Sequence, residues 1–503
     1  MSKASRFALV LSLAGILAAY LVTTRVFEGV PHVEDEMAYV WEARAIAGGH
    51  LTVPSPPDPQ SLMVPFVVDL HGQRFAKYPP GWPVVLALGV LVGIRAWINP
   101  LLAGLGIWLT FRLGQKIFNT RTGLLAALLT LTSPLFLINS GSLDAHPWSL
   151  CLSLAFVLAW LDTFDLGSLE EPTRAGRIPA GMTILVAGIS LGLLVLSRPL
   201  TAIGVGLPFF INGLVRVCHG RPQERLRVVE IGAISLVVGS LLLAWQFAVT
   251  GNPFLDPYTL WWKFDRLGFG PGIGIYAGGY TLLQGLRNAA IMLSETARDL
   301  FGWGFFSWLF LPFGIWAIRR KRTVWPVAAI FFSLVVSYLF YWAWVGHYGP
   351  RYYYEGLYSL SLLSAAGIFW LAGWTRSQLP KSPRLVLTFL LCTALIGYNL
   401  VGYLPQRLRE VYGTYGIHAS QMAPFLIAQA RSLTPALVFV HVQKIWTEYA
   451  GLLDLEDPWL TSPFIFAWSI SPSADRLTAS HYPERRIIYY YPDEPGQLYL
   501  SPR

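Results

Sequence analysis

The chain has 503 residues, of which 54% are hydrophobic and only 13% are charged; an ordinary soluble domain carries roughly a quarter charged residues. Apolar runs long enough to cross the hydrocarbon core of a bilayer, about 20 residues each, recur through most of the chain. This pattern excludes an ordinary soluble enzyme. The net charge of +9 does not indicate nucleic-acid binding, because Lys and Arg cluster in short connectors between apolar runs, as the positive-inside rule predicts for a membrane protein.

The apolar runs predict about eleven transmembrane helices, with the N-terminus inside. Helix 1 covers about residues 6–26 and leads into an external loop at 27–97. Within that loop residues 79–93 are apolar but short, and the basic residues that follow helix 2 favour a helix lying flat in the interface over a spanning one. The other predicted helices include helix 2 (98–117), helix 3 (122–141), helix 4 (147–163), helix 5 (181–197), helix 6 (199–215), helix 9 (324–345), helix 10 (352–373) and helix 11 (385–402).

The composition changes in two further regions. Residues 251–300 contain two adjacent tryptophans and a Gly-rich stretch, which indicates a second external loop. From Tyr403 onward polar and apolar residues mix, with strand-like runs at 436–441 and 486–491. The predicted fold class is therefore an all-α polytopic membrane protein with a small external α/β domain, divided into residues 1–402 and 403–503.

Two carboxylate motifs map to the external side. Glu34, Asp35 and Glu36 precede a helical pattern in the first loop, and Asp144 lies at the start of helix 4. Two separated carboxylates on one face can divide general-base and charge-stabilising roles in attack on an anomeric carbon. Capping of the two helix N-termini is the structural alternative. His146 is a candidate to orient Asp144 or to bind a metal.

Three cations map to the same side. Lys77 comes just before the flat helix, where an ammonium can pair with a phosphate at headgroup depth; snorkelling is the alternative. Arg351, followed by Tyr352 and preceded by His347, begins helix 10 on the external side. A cation placed against the positive-inside trend suggests a phosphodiester partner. Arg198, at the turn between helices 5 and 6, is a similar candidate.

The order of these motifs resembles that of the GT-C glycosyltransferases, and within them it is most similar to the protein O-mannosyltransferase and aminoarabinose-transferase group. The resemblance covers about residues 1–375. It rests on an acidic pair before an Arg-bearing helix, a Lys-x-Pro-Pro turn, an early Asp and a late Arg-Tyr: Asp35-Glu36 with Arg44, Lys77-Tyr78-Pro79-Pro80, Asp144, and Arg351-Tyr352.

The resemblance implies a sugar donor on a polyprenyl monophosphate and an inverting displacement with Asp35 as the base. It also implies that Asp144 assists catalysis or positions the acceptor, and that Lys77 and Arg351 hold the lipid phosphate. The other residues predicted to bind substrate are Glu36, His146, Arg198, His347 and Tyr352. Relatives often have Lys-Pro-Pro directly, with a Glu before the Lys. In this sequence Tyr78 separates Lys77 from the two prolines, and Ala76 precedes Lys77. The expectation of a bound divalent cation is therefore weakened and left open.

The resemblance implies a multi-pass protein of the cell membrane, expected to be a bacterial plasma membrane, with the active site and C-terminal domain outside. The expected partners are the lipid-linked donor, membrane lipids and a protein, lipid or glycan acceptor. The main alternative is a transporter or flippase of lipid-linked sugars. Transporters place ionisable residues at mid-bilayer and often contain paired broken helices, whereas the candidate residues here map to one edge.

Overall fold

A computed structural model of the chain describes residues 2–166, 179–344, 346–374 and 383–503. Most of these residues are helical. The helices up to the second predicted loop are α1 (Lys3–Arg25), α2 (Glu34–Ala47), α3 (Gly81–Leu91), α4 (Ile98–Ile117), α5 (Thr120–Leu131), α6 (Pro134–Gly141), α7 (His146–Thr163), α8 (Ala180–Ser197), α9 (Pro199–His219), α10 (Pro222–Gly239) and α11 (Leu241–Thr250).

The later helices include both long apolar ones and short ones in the C-terminal part. They are α12 (Tyr258–Trp261), α13 (Leu282–Asp299), α14 (Leu311–Ile318), α15 (Trp325–Tyr338), α16 (Leu357–Leu371), α17 (Pro383–Tyr398), α18 (Leu404–Val411), α19 (Ala423–Leu426), α20 (Ala428–Arg431), α21 (Thr447–Ala450) and α22 (Pro472–Ser480). The strands are β1 (Val53–Pro54), β2 (Val67–Leu70), β3 (Gln73–Ala76), β4 (Ala436–Val440), β5 (Phe464–Trp468) and β6 (Arg486–Tyr490).

Several of these helices can cross a membrane. Among the described residues five are long and apolar enough, or up to seven if each of two bent helix pairs is one span. The bent pairs are α5 with α6, at 60°, and α13 with the helical segment 304–318, at 89°. The prediction of a polytopic, mostly helical membrane protein is confirmed, and the number of eleven spans stays a prediction.

Helix α3 is the apolar segment that the sequence favoured as interfacial. It has 11 residues, so it is roughly 17 Å long, about half the hydrocarbon thickness. Val84, Leu88 and Leu91 expose apolar side chains on it. A helix of this length and surface fits the membrane boundary better than a full span. Its first residue, Gly81, approaches α8 so closely that a Cβ there would overlap the hydroxyl of Ser197.

Helices α5 and α6 meet at a bend that has an evident cause. The Ser133 hydroxyl accepts a hydrogen bond from the Phe136 amide at 3.3 Å, and Pro134 occupies the first turn of α6. Ser at the N-cap and Pro in the first turn start a new helix rather than continue the old one. Helix α6 ends at Gly141, and a short connector at residues 142–145 then leads into α7.

The C-terminal residues contain a three-stranded parallel sheet in the order β5-β4-β6. Two of its strands, β4 and β6, coincide with the strand-like runs noted in the sequence. One face of this sheet packs against the first loop rather than against its own helices alone: Met37 and Trp41 of α2 share a hydrophobic cluster with Val438, Phe466 and Ile488. The division at residue 402 stays a prediction, and the two parts it separates have a common core.

A buried ion cluster joins the same two parts. Asp454 accepts from Arg44 of α2 at 2.8 Å and from Arg95, just before α4, at 2.7 Å. All three side chains are at most 22% exposed. Two guanidiniums around one carboxylate satisfy its oxygens and share its charge, which is the geometry that makes a buried ion pair tolerable.

We expect Asp454→Asn to loosen the C-terminal part, because it leaves two buried guanidiniums facing a neutral amide. Removal of one partner from a buried pair costs roughly 3–5 kcal/mol. The measurement is the thermal-unfolding midpoint of the purified full-length protein, together with its rate of limited proteolysis. Asp493→Asn is the matched control, since its pair with Arg503 is about half exposed. Equal midpoints for Asp454→Asn and the control would contradict the expectation.

Candidate active site

The structure contains a cavity of about 250 Å³. Its walls come mainly from helix termini and connectors, and Tyr39 of α2 and Trp245 and Gln246 of α11 contribute from within helices. Six of the residues predicted from the sequence line it: Asp35, Lys77, Asp144, Arg198, Arg351 and Tyr352. The prediction that these residues converge from distant parts of the chain agrees with the geometry, while their roles stay predictions.

Arg351 links the two predicted carboxylates. Its guanidinium donates through Nη1 to Asp144 Oδ2 at 2.9 Å and through Nη2 to Asp35 Oδ2 at 3.0 Å. The arginine is 5% exposed. The other oxygen of Asp35 accepts a short hydrogen bond from the Tyr78 hydroxyl. The guanidinium therefore fixes the spacing of two carboxylates that would otherwise repel each other.

Glu36 explains why these groups meet. It is fully buried, and one carboxylate oxygen accepts from the backbone amide of His32 at 2.7 Å and from the Tyr348 hydroxyl at 3.0 Å. The other oxygen accepts from the amide of Leu143 at 2.7 Å. These three donors lie close in sequence to the residues of the Asp35–Arg351–Asp144 bridge. The buried carboxylate of Glu36 thus holds together the three segments that carry Asp35, Asp144 and Arg351.

The connector before α7 has further supports. Asn99 of α4 donates to the carbonyls of Ser142, at 2.7 Å, and Asp144, at 2.9 Å. Trp82 of α3 donates its indole N–H to the carbonyl of Leu143 at 3.0 Å. Backbone groups that lack helical partners at the end of α6 are thereby paired with side chains, as buried polar groups require. The Asp144 carboxylate is left free to meet Arg351.

Lys77 lies in a cage of aromatic rings. Its ammonium is 3.6 Å from the ring centre of Phe66, and between 4.9 and 5.2 Å from those of Trp262, Tyr258 and Tyr78. Such distances favour cation–π attraction. The side chain is 3% exposed, and burial lowers the pKa of Lys77 below its usual range. The cage holds the ammonium at the cavity wall.

Arg198 also lines the cavity. Its guanidinium donates to the hydroxyls of Thr201 and Tyr338, each at 3.2 Å, and it lies 3.8 Å from the carboxylate of Glu355. The ring of Tyr338 stacks on that of Tyr352 at 4.9 Å. Arg198 is the single residue between α8 and α9, so the two helix ends fix its position. A third cation therefore borders the cavity beside an aromatic pair.

The two bridged carboxylates differ in protonation. Burial raises the pKa of Asp144 to about 7, against the lowering effect of Arg351, and the nearby charges of Asp35 and Glu36 raise it further. Burial also acts on Asp35, but Arg351, the Tyr78 hydroxyl and Lys77 together hold its pKa below the usual range. Asp35 is therefore ionised at neutral pH, whereas Asp144 exchanges its proton there.

Three predicted substrate-binding residues lie behind the cavity wall. Glu36 uses both oxygens within the protein, as described above. His146 is 1% exposed, with Nδ1 3.4 Å from Glu355. His347 Nε2 is 2.6 Å from the Tyr415 hydroxyl. Glu36 and His347 have hydrogen-bond partners within the protein, whereas His146 Nδ1 lies near Glu355 without a hydrogen bond to it. Contact with a substrate stays a prediction for all three.

A metal site does not emerge from these side chains. Within the described ranges no group of three or more His, Cys, Asp or Glu side chains is placed to hold a metal ion. The position between Asp35 and Asp144 is taken by the guanidinium of Arg351. The positive charge at this position therefore comes from the chain itself.

Sequence reasoning missed several wall residues. Asp265 forms an ion pair with Lys77 at 3.3 Å, and Tyr78 donates to Asp35. Tyr39, Asp256 and Tyr258 also line the cavity. The sequence placed Asp256, Tyr258 and Asp265 in the second external loop, but a carboxylate between Phe264 and Arg266 carries no pattern that distinguishes it from a solvated one.

The fold of the chain matches that of a known class of membrane proteins. The chain has the GT-C fold, so the expectation from the sequence motifs is confirmed at the level of fold. No protein-family model and no curated protein matches the chain.

Solved structures with the same fold include ArnT from Cupriavidus metallidurans bound to undecaprenyl phosphate. It is 12% identical, the match covers 95% of this chain and 89% of that one, and the TM-score is 0.56. Another is the archaeal oligosaccharyltransferase AglB from Archaeoglobus fulgidus, in complex with an inhibitory peptide and a dolichol-phosphate. It is 12% identical, with 95% and 69% of the two chains covered and a TM-score of 0.54. Both are membrane glycosyltransferases of the GT-C superfamily. At these identities the likeness establishes the fold.

Removal of the guanidinium should make stability depend on pH. In Arg351→Met the carboxylates of Asp35 and Asp144 lose their shared cation, so both folded-state pKa values should rise above the unfolded values. Relative to the wild type, the loss of stability should then be smallest near the unfolded pKa of Asp, at about pH 4. It should grow as the pH rises from there to the raised folded-state pKa values, and reach roughly 3–5 kcal/mol. The measurement is the thermal-unfolding midpoint across that range.

The control for this effect is Arg216→Met, because Arg216 pairs with the partly exposed Glu224. The double variant Arg351→Met with Asp144→Asn should recover much of the lost stability at high pH, since only one carboxylate remains. Parallel curves for Arg351→Met and the wild type would show that the bridge contributes nothing to the charge state of the pair.

Proposed function

We propose that this protein is an integral membrane glycosyltransferase that moves a sugar from a polyprenyl-phosphate donor to an acceptor on the non-cytoplasmic face. The observation that carries the proposal is the Asp35–Arg351–Asp144 bridge in a cavity that Lys77 and Arg198 also border. A carboxylate beside several cations suits the transfer of a sugar from a phosphate leaving group. The ArnT structure contains undecaprenyl phosphate, and the AglB structure a dolichol-phosphate, which supports a donor of this class.

The donor phosphate would be held by Lys77 and Arg351, in a cavity that Arg198 also lines. A polyprenyl chain partitions into hydrocarbon and presents its phosphate at the headgroup plane. The short helix α3 follows Lys77 directly, so a boundary position for α3 would set the ammonium at that depth. Cations at the phosphate stabilise the charge that develops as the sugar leaves.

Asp35 would act as the base. Its side chain is 19% exposed, whereas that of Asp144 is 3% exposed, so an acceptor reaches Asp35 more readily. The carboxylate would take the proton of the acceptor hydroxyl or amine as that atom attacks the anomeric carbon from the face opposite the phosphate, which inverts the configuration. Asp144 would keep Arg351 in place and position the acceptor.

The predicted arrangement has eleven spans, with the first loop and the C-terminal residues 403–503 outside, in a bacterial plasma membrane. The shared core of α2 with the C-terminal sheet supports a common side for these two parts. The acceptor, whether protein, lipid or envelope glycan, would enter from that side.

The direct test uses the purified full-length protein in proteoliposomes with radiolabelled sugars on undecaprenyl phosphate and envelope extract as the acceptor. We expect consumption of the lipid-linked sugar and labelling of an acceptor, and mass spectrometry of co-purified lipids should find a polyprenyl phosphate. Movement of the intact sugar-lipid between leaflets without consumption would instead favour the flippase alternative.

Asp35→Asn should lower the rate of transfer by about 100-fold or more, because general-base catalysis contributes roughly that much. Insertion into the membrane should be unaffected. The matched control is Asp58→Asn in the same loop, whose carboxylate pairs with His481 away from the cavity. Full activity in Asp35→Asn would eliminate this mechanism.

Lys77→Ala should mainly weaken donor binding, because a charge-assisted hydrogen bond to phosphate is worth roughly 1.5–3 kcal/mol, or about 10- to 100-fold in Kd. The measurement is the Kd for undecaprenyl phosphate. Lys263→Ala, an exposed lysine of the second loop, serves as the control. An unchanged Kd in Lys77→Ala would remove Lys77 from the phosphate site.

The activity should fall on the acid side of neutrality. Burial raises the pKa of Asp144 to about 7, so below that pH the carboxylate takes up a proton and Arg351 loses one of its two anchors. We expect kcat/KM to decline with an apparent pKa near 7. In Asp144→Asn the plateau should be roughly tenfold lower and this decline should disappear. The same acid limb in wild type and variant would assign the titration to another group.

A further inference from the structure

Asp265 has no assigned role in the proposed reaction, yet it is the charged partner of Lys77. Its Oδ2 lies 3.3 Å from the ammonium. The two side chains are 1% and 3% exposed, so both charges are largely shielded from bulk water. A buried ammonium needs such a partner, because aromatic faces alone do not repay the loss of its hydration.

The carboxylate of Asp265 is itself oriented. Its Oδ1 accepts from the indole N–H of Trp342 at 3.0 Å and from the Tyr341 hydroxyl at 3.3 Å. These two bonds occupy one oxygen and turn the other towards Lys77. The second loop, which carries Asp265, is thus tied to the residues that follow α15, and its geometry sets where the ammonium lies.

The structure assigns Asp265 a role that rests on the proposed function: we propose that it is a positioning residue for the donor phosphate, whose carboxylate holds the Lys77 ammonium in its cationic form at the cavity wall. A neutral amine would bind phosphate far more weakly than an ammonium does. Asp265 does not touch the sugar in this proposal, and it acts through Lys77.

The groups around Lys77 support this assignment. Burial lowers the pKa of Lys77, and Asp265 is the strongest influence in the opposite direction, ahead of Asp35 and Glu34. Asp256 also faces Lys77. Of these four carboxylates only Asp265 forms an ion pair with the ammonium among the described residues.

The Tyr78 and Tyr258 rings complete the surroundings of the ammonium, together with those of Phe66 and Trp262. The Tyr78 hydroxyl donates a hydrogen bond to Asp35. Loss of Asp265 should therefore have a large effect on the protonation of Lys77, because the remaining carboxylates lie farther away and Asp35 is already engaged by Arg351.

The test compares Asp265→Asn with Asp265→Glu in the full-length protein. Asn keeps an oxygen for Trp342 and Tyr341 but removes the charge, whereas Glu keeps the charge. The first measurement is the rate of reductive methylation of Lys77 against pH, followed by peptide mass spectrometry, because only the neutral amine reacts. The exposed Lys263 in the same molecule is the internal reference.

An opposite charge at this range shifts a pKa by about 1–3 units. In Asp265→Asn the midpoint for Lys77 should therefore fall by about that much, and its reaction rate at a fixed pH below both midpoints should rise roughly tenfold or more. Asp265→Glu should stay near the wild type, and Lys263 should not change. An unchanged Lys77 rate in Asp265→Asn, in protein with a wild-type unfolding midpoint, overturns the assignment.

The second measurement is the Kd for undecaprenyl phosphate against pH. In Asp265→Asn the loss of affinity at alkaline pH should begin about one to three units lower than in the wild type, and Asp265→Glu should restore the wild-type curve. Equal curves for Asp265→Asn and the wild type overturn the donor-binding role. If the wild type does not bind the lipid at all, the proposed function fails, and the methylation measurement still decides whether Asp265 controls Lys77.

Discussion

The buried carboxylate of Glu36 is the contact on which the site depends. Its donors come from the segment before α2, the connector before α7 and the segment before the Arg351 turn, which are far apart in sequence. A fully buried carboxylate without such partners would be very unfavourable in free energy. Separation of these segments would therefore destabilise the protein. Asp35, Asp144 and Arg351 are neighbours of the residues that Glu36 binds, and they meet as a consequence.

The cations that border the cavity already have partners in the chain. Arg351 is shared by two carboxylates, Lys77 is paired with Asp265, and Arg198 lies near Glu355. An entering phosphate would therefore exchange or share existing partners rather than neutralise free charges. Exchange of this kind lowers the net gain in affinity, but it keeps the cations in fixed positions and so reduces the cost of ordering them when a ligand binds.

Much of the site could be predicted from the sequence because cations such as Lys77 and Arg351 stand out at the ends of apolar runs, where the positive-inside rule gives them meaning. The fold followed from the order of those motifs. The role of Glu36 could not be predicted, since a carboxylate in a first helical turn is usually a cap. Asp265 was missed for a related reason: its importance comes from Trp342 and Lys77, far away in sequence, and the loop around it has no periodic pattern.

The pKa values of Asp35 and Asp144 differ because of the environments of the two carboxylates, not because of their distances from Arg351. Both are about 3 Å from the same guanidinium, yet Asp35 also accepts from a hydroxyl and lies closer to solvent, whereas Asp144 is enclosed beside other carboxylates. One is therefore ionised at neutral pH and the other exchanges a proton there. Two carboxylates whose environments push their pKa values apart can take different roles. In the proposed reaction ionised Asp35 accepts a proton from the attacking group. Asp144, whose pKa is near neutral pH, sets how firmly Arg351 is held.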